Sequence, residues 1–125
     1  MFDTGMDVLV VDDASATRQI IKSMLKELGF NNIREVENGQ LALDSLKRRK
    51  ADLVLSDWNM PVMSGIDLLR AIRADKELKA IPVMMVTAEA EPENIMEAVK
   101  AGVNNYIVKP FNAKTLEEKL NKIFP

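Results

Sequence analysis

The chain has 125 residues, of which 47% are hydrophobic and 29% are charged, and its formal net charge is −2. This length and mixture suit one globular domain, so we expect a single domain over residues 1–125, and an acidic chain of this kind is a poor partner for nucleic acid. The sequence has neither cysteine nor histidine, which excludes disulfides, thiolate nucleophiles and imidazole bases. Its chemistry must use carboxylates, hydroxyls, lysine and a bound metal.

Short apolar runs alternate with helical patterns along the chain. Four unbroken runs predict strands that are buried on both faces, as in a parallel sheet. These runs occupy residues 8–11, 53–55, 83–86 and 106–108. A weaker run over residues 32–36, in which only Ile33 and Val36 are apolar, predicts an edge strand.

Five helical patterns follow the five runs. In the first, apolar residues from Ile20 to Leu28 recur at helical spacing and Gly29 supplies a stop signal. The start signals of the other four are, in chain order, Asn38–Gly39, Ser64, Pro92 and Asn112. The alternation predicts an α/β fold of the (βα)5 kind, a doubly wound five-stranded parallel sheet with helices on both faces.

Unusual polar residues stand where the apolar runs end. Asp12 and Asp13 follow the first strand, Asp57 ends the third, Thr87 ends the fourth and Lys109 follows the fifth. Because parallel strands have their carboxyl ends at one edge, we expect these side chains to converge there, where open α/β sheets bind ligands. Each residue alone suits an ordinary capping or surface role, and only the coincidence points to a site.

Three neighbouring carboxylates repel one another, and a hard divalent cation such as Mg²⁺ relieves that repulsion. One carboxylate can then act as a nucleophile toward phosphorus. Lys109 and the metal would neutralise charge on the phosphoryl oxygens, and the Thr87 hydroxyl would hydrogen-bond one of them. In a chain without histidine or cysteine, an aspartyl phosphate is the natural covalent product.

These residues stand within motifs that resemble the signature of the response regulator receiver domain. The motifs are VVDD at 10–13, SDWNMP at 56–61, MSG at 63–65, VTA at 86–88 and VKPF at 108–111. Finer similarity to the stand-alone receivers of bacterial chemotaxis lies in residues 26–32, 88–90 and 115–124, in Trp58–Asn59 and in Tyr106.

The resemblance implies a flavodoxin-like sheet of order 2-1-3-4-5 and a phosphoacceptor at Asp57. It implies that Thr87 and Lys109 contact the phosphoryl group and that the Lys109–Pro110 bond is cis. The implied Mg²⁺ ligands are the carboxylates of Asp13 and Asp57, the backbone carbonyl of Asn59, and Asp12 directly or through water.

The same resemblance implies the partners and the output surface. The expected partners are a chemotaxis-type histidine kinase, the flagellar motor switch protein and a phosphatase. Tyr106 would report phosphorylation, and the implied partner face consists of Glu89, Ala90, Ile95, Tyr106, Val108 and Lys119. We expect a cytoplasmic monomer that neither inserts into membranes nor binds nucleic acid, and that acts as a switch rather than as a turnover enzyme.

Three features depart from the usual receiver pattern. Ser64 stands where an aspartate is usual, and either residue can cap the third helix. Ala14 is smaller than expected after the acidic pair, and Glu91–Pro92 opens the fourth helix where basic residues are expected. The last two departures leave the affinity for partners open.

Three other functions compete with a chemotaxis receiver. A receiver that relays phosphate to a second histidine protein would share the same chemistry. An aspartyl-phosphate hydrolase would normally carry its nucleophile after the first strand and add a cap domain. A flavin carrier on the same fold would need a phosphate-binding loop where Asp12 and Asp13 stand.

Overall fold

The computed structural model describes residues 2–88 and 92–125, and five strands alternate with five helices in them. The strands are β1 (Asp7–Val11), β2 (Asn32–Val36), β3 (Leu53–Asp57), β4 (Val83–Thr87) and β5 (Asn105–Val108). The helices are α1 (Ser15–Glu27), α2 (Gly39–Arg48), α3 (Gly65–Ala74), α4 (Pro92–Ala101) and α5 (Ala113–Ile123). The predicted (βα)5 order is confirmed.

The strands form one parallel sheet of order β2-β1-β3-β4-β5. The strand order and the edge position of β2 are therefore confirmed. β5 forms the other edge. Ile107 is the buried residue of that strand, and Tyr106 is only partly buried against the opposite core, so this run is less covered than the sequence predicts. The order reverses direction between β1 and β3, which places a crevice at the carboxyl ends of those two strands.

Each strand contributes alternate side chains to two cores, one on each face of the sheet. In β1, Leu9 and Val11 join a core with residues of α2, α3 and α4, whereas Val8 and Val10 join a core with residues of α1 and α5. Because successive strand side chains point to opposite faces, continuous apolar runs are what a sheet covered on both faces requires.

Local signals set the helix bounds much as the sequence predicts. Asn38, Ser64 and Asn112 each accept a backbone N–H bond at the start of α2, α3 and α5. Gly29 follows α1 with φ 105° and Gly102 follows α4 with φ 94°, a backbone region that favours glycine. No helix in these residues is long and apolar enough to cross a membrane.

The amino-terminal ends of β4 and β5 are tied together by Arg73 of α3. Its guanidinium donates to the carbonyls of Lys79, Ile81 and Gly102 and to Oδ1 of Asn104, at 2.7–3.0 Å. The same Asn104 oxygen accepts the N–H of Val83 at 2.8 Å. One side chain therefore connects the loops that precede both strands.

Candidate functional site

The polar residues that end the strands do converge at one edge of the sheet. Lys109 lies at the centre of the group, with Nζ 3.3 Å from Oδ2 of Asp12 and 3.4 Å from Oδ1 of Asp57. Its backbone N–H donates to the carbonyl of Thr87, the last residue of β4, at 2.8 Å. The peptide bond between Lys109 and Pro110 is cis, as the resemblance implies.

Three carboxylates form a compact acidic cluster at this edge. Oxygens of Asp12, Asp13 and Asp57 all lie within 4.8 Å of one another. Asp12 is buried, Asp57 is partly buried and Asp13 is exposed, so the cluster is open to solvent on one side. Carboxylate oxygens at this spacing fit a hard divalent cation, because such an ion takes oxygen ligands and retains several waters.

Asp12 is held by hydrogen bonds on all its polar groups. Its N–H donates to the carbonyl of Val36 at 3.2 Å, and its own carbonyl accepts from Nη1 of Arg18 at 2.6 Å. Its Oδ1 accepts the N–H of Ala14 at 2.9 Å, and its Oδ2 faces Lys109. Both carboxylate oxygens of Asp12 are therefore already engaged within the protein.

The carboxylate of Asp57 lies in an environment that raises its pKa. Its side chain is 12% exposed, and Oδ1 accepts both the N–H of Trp58 at 2.9 Å and the ammonium of Lys109. Burial and the nearby charge of Asp12 raise the pKa of Asp57, and the two hydrogen bonds only partly offset this effect. No described residue donates a hydrogen bond to Oδ2, so this oxygen is available to a ligand.

An open cleft of 400 Å³ adjoins Asp57 on the β4 side. Its lining residues are Trp58, Asn59, Thr87, Ala88 and Asn94. Thr87 is 8% exposed at the floor of this region, whereas Asn59 is exposed at its rim. The cleft can therefore admit a small polar group beside the carboxylate.

Gly65 fixes the loop that follows Asp57. Its N–H donates to the carbonyl of Trp58 at 2.8 Å, which closes the loop between β3 and α3. A Cβ at this position would lie 2.1 Å from the carbonyl oxygen of Asp57. Only glycine lets the start of α3 approach the end of β3 so closely.

The residues expected to form the partner face lie only partly within the described chain. Tyr106 is partly buried on β5, and Nζ of Lys119 lies 4.6 Å from the centre of its ring. Val108 and Ile95 are also partly buried. Glu89 and Ala90 lie outside the described residues, as does Glu91.

Several features of this region escaped sequence reasoning. The helical pattern predicted α4 but did not predict that two of its apolar residues face solvent. Met96 and Val99 are 59% and 63% exposed. Arg18 gave no motif signal, although helical spacing after Asp12 places it on α1 within reach of the site. Asn94 could have been found only from its place in the first turn of α4, near the end of β4.

Comparison with known proteins agrees with this geometry. Residues 8–121 match the response regulator receiver domain. The chain belongs to this family. It is 57% identical to the chemotaxis protein CheY-3 of Vibrio cholerae serotype O1 over 124 residues, covering 99% of this chain and 95% of the relative. It is 56% identical to the chemotaxis protein CheY of Pseudomonas aeruginosa over 119 residues, covering 95% and 96%.

Solved structures support the same assignment. The chemotaxis response regulator CheY4 of Vibrio cholerae is 34% identical, with a TM-score of 0.88 and coverage of 95% and 98%. The receiver domain of the Pseudomonas aeruginosa sensor histidine kinase PA1611 is 30% identical, with a TM-score of 0.85 and coverage of 97% and 99%. That structure has a magnesium ion coordinated in its active-site cleft. The receiver assignment and the resemblance to chemotaxis receivers are confirmed, and the family is one of signalling proteins rather than turnover enzymes.

Proposed function

We propose that this receiver domain accepts a phosphoryl group from a chemotaxis-type histidine kinase onto Asp57 and then signals to the flagellar motor switch. The observation that carries the proposal is the placement of Asp57, which is largely buried beside Lys109 and two further carboxylates. The names of the CheY relatives favour chemotaxis over a phosphorelay.

We assign the metal to the acidic cluster and expect it to be Mg²⁺. Asp13 and Asp57 have oxygens without hydrogen bonds from described residues, so they would be the direct carboxylate ligands, and the backbone carbonyl of Asn59 would be the third ligand. Asp12 would act through water, because its own two oxygens already accept hydrogen bonds from Ala14 and Lys109. When bound, the ion would neutralise charge on the carboxylates and on the incoming phosphate.

The protein's own groups account for the transfer step. A carboxylate oxygen of Asp57 forms a bond to phosphorus as the bond between phosphorus and the donor's imidazole nitrogen breaks, and that nitrogen keeps the electron pair. The Lys109 ammonium, now between Asp12 and Asp57, is close enough to move onto a phosphoryl oxygen. The hydroxyl of Thr87 would donate to a second oxygen from the end of β4.

The signal would leave the site through Thr87 and Tyr106. Movement of Thr87 toward the phosphoryl group would open space beside β4, which pairs with β5. Tyr106 is already partly buried against the core, and its ring can turn further inward to fill that space. Such a shift changes the surface that Tyr106 and Lys119 share, and a few kcal/mol of differential contact suffice to invert the two populations.

Phosphorylation is tested by intact mass after incubation with acetyl phosphate and Mg²⁺. Wild type should gain one phosphoryl group, and Asp57→Asn should gain none. Labelling of Asp57→Asn equal to that of wild type would place the acceptor elsewhere.

Output is tested by the affinity for a flagellar-switch peptide with and without beryllofluoride. Activation should tighten binding in wild type but much less in Tyr106→Ala and Thr87→Ala. An equal gain in all three proteins would exclude the Thr87–Tyr106 coupling while leaving the assignment of Asp57 intact.

A further inference from the structure

Arg18 connects the acidic cluster to the edge strand of the sheet. Its side chain is only 13% exposed, and it donates through two different nitrogens. Nη1 contacts the backbone carbonyl of Asp12 at 2.6 Å, and Nε contacts Oε1 of Glu35 on β2 at 2.8 Å. The planar, forked guanidinium suits such a bridge, because its donors point in fixed directions.

Glu35 provides the fixed end of this bridge. Its other carboxylate oxygen pairs with Nζ of Lys22 at 2.5 Å, so two cations of α1 converge on one carboxylate of β2. Only the first of them, Arg18, also contacts the site. Lys22 is 23% exposed and contributes a comparable ion pair without contacting Asp12, which makes it a matched control.

We propose that Arg18 is a positioning residue for the metal site, which acts by holding the backbone of Asp12. This inference rests on the proposed role of the acidic cluster in binding Mg²⁺. Asp12 and Asp13 occupy the connection between β1 and α1, and the carbonyl of Asp12 is held from the α1 side by Arg18. Without that bond the connection can relax, and the oxygens of Asp13 and Asp57 no longer keep their present spacing.

The direction of the effect separates positioning from simple electrostatics. Arg18 is a cation close to a site that binds a cation, so removing its charge should by Coulomb's law strengthen Mg²⁺ binding. Loss of positioning should weaken it instead, since partners that orient metal ligands typically contribute about 10- to 100-fold in affinity. The two explanations therefore predict opposite signs.

The experiment is a Mg²⁺ titration of the full chain, followed by Trp58 fluorescence and by calorimetry. The proteins are wild type, Arg18→Met, Arg18→Lys and the control Lys22→Met. Arg18→Met should bind Mg²⁺ about tenfold more weakly. Arg18→Lys should show a similar loss, because an ammonium lacks the fixed fork through which Arg18 contacts Asp12 and Glu35 from two separate nitrogens. Lys22→Met should stay within about twofold of wild type, because its cation is partly screened by solvent.

A metal-free measurement accompanies the titration. Hydrogen exchange at the N–H of Asp12, which donates to Val36, should be faster in both Arg18 variants and unchanged in Lys22→Met. If Arg18→Met does not fold, Arg18→Lys carries the test.

Each outcome decides the question. Three results would overturn the positioning role. The Arg18 variants could bind Mg²⁺ as tightly as wild type or more tightly, or Arg18→Lys could have the full affinity of wild type. Lys22→Met could also lose as much Mg²⁺ affinity as Arg18→Met. If wild type itself binds no Mg²⁺, the proposed metal site fails together with this inference.

Discussion

Gly65→Ala is the substitution that best tests how the loop after Asp57 is built. A new Cβ would lie 2.1 Å from the carbonyl oxygen of Asp57 and 2.7 Å from Cε of Met85. The methionine can rotate away, but the carbonyl belongs to the backbone of β3. The start of α3 and the end of β3 must therefore separate by about 1 Å to reach a tolerable contact of 3.0 Å.

The magnitude follows from this forced displacement. Overpacking of this kind costs about 1–3 kcal/mol of unfolding free energy, whereas helix propensity alone would favour alanine by up to about 1 kcal/mol. The two effects have opposite signs, and the clash should dominate. Because a shift of about 1 Å at a reacting group can cost about a hundredfold in rate, phosphorylation of Asp57 should slow by about that factor.

Urea unfolding measures the first effect, and the rate of phosphorylation by acetyl phosphate measures the second. Gly39→Ala is the matched control, because its Cβ would lie 2.7 Å from the carbonyl oxygen of Met63 rather than that of Asp57. It should lose stability but keep most of its phosphorylation rate. A Gly65→Ala protein that is as stable as wild type and is labelled within threefold of its rate would refute the reasoning.

Three further substitutions have definite expected outcomes. Val62 has φ 69°, which is strained for a β-branched residue, and it is 82% exposed. Asparagine adopts this conformation more easily, so Val62→Asn should raise the unfolding free energy, measured in urea, by about 1 kcal/mol. Burial and Asp12 raise the pKa of Asp57, so the ionised carboxylate destabilises the folded protein. Asp57→Asn removes this charge and should therefore be more stable than wild type at pH 7 without metal. That advantage should shrink as the pH falls through the raised pKa of Asp57 toward the ordinary carboxyl range, because the folded wild type takes up the proton in that window. Lys109→Arg keeps the charge but changes the donor geometry, so labelling by acetyl phosphate should persist in part while binding to the switch peptide falls.

Each of these three expectations has a contradicting result. A less stable Val62→Asn would mean that the turn at residues 61–63 is not strained. An advantage of Asp57→Asn that grows toward acid pH would reverse the sign of the linkage. Unchanged labelling and unchanged peptide binding in Lys109→Arg would exclude Lys109 as a phosphoryl ligand.

Most of the fold could be predicted from the sequence because a parallel sheet with helices on both faces leaves a strong signal. Its central strands must be apolar over most of their length, and β1, β3 and β4 each contain an unbroken apolar run of three or four residues. The convergence of Asp12, Asp57 and Lys109 then follows from the parallel direction alone. No side-chain geometry is needed for that step.

Other parts could not be predicted, because they depend on the reach of particular side chains. Arg18 and Glu35 are 17 residues apart on different elements, and their pairing depends on the register of β2 against β1. The apolar residues of α4 show helical spacing, which does not tell how much of the helix is covered. Ala98 is its buried residue, and Met96 and Val99 face solvent. Glycine or asparagine usually indicates a positive φ, and position 62 has valine instead, so the sequence does not predict the conformation found there.

Arg73 constrains one end of β4 and β5. Its guanidinium anchors the amino-terminal ends of β4 and β5 to α3 through four acceptors, whereas Thr87 and Lys109 occupy the opposite ends of the same region. A rearrangement that begins at Asp57 would therefore move the carboxyl ends of β4 and β5 relative to their held amino-terminal ends. We expect displacements to be small beside Arg73 and larger toward the carboxyl edge, where the surface around Tyr106 could respond while the sheet keeps its register.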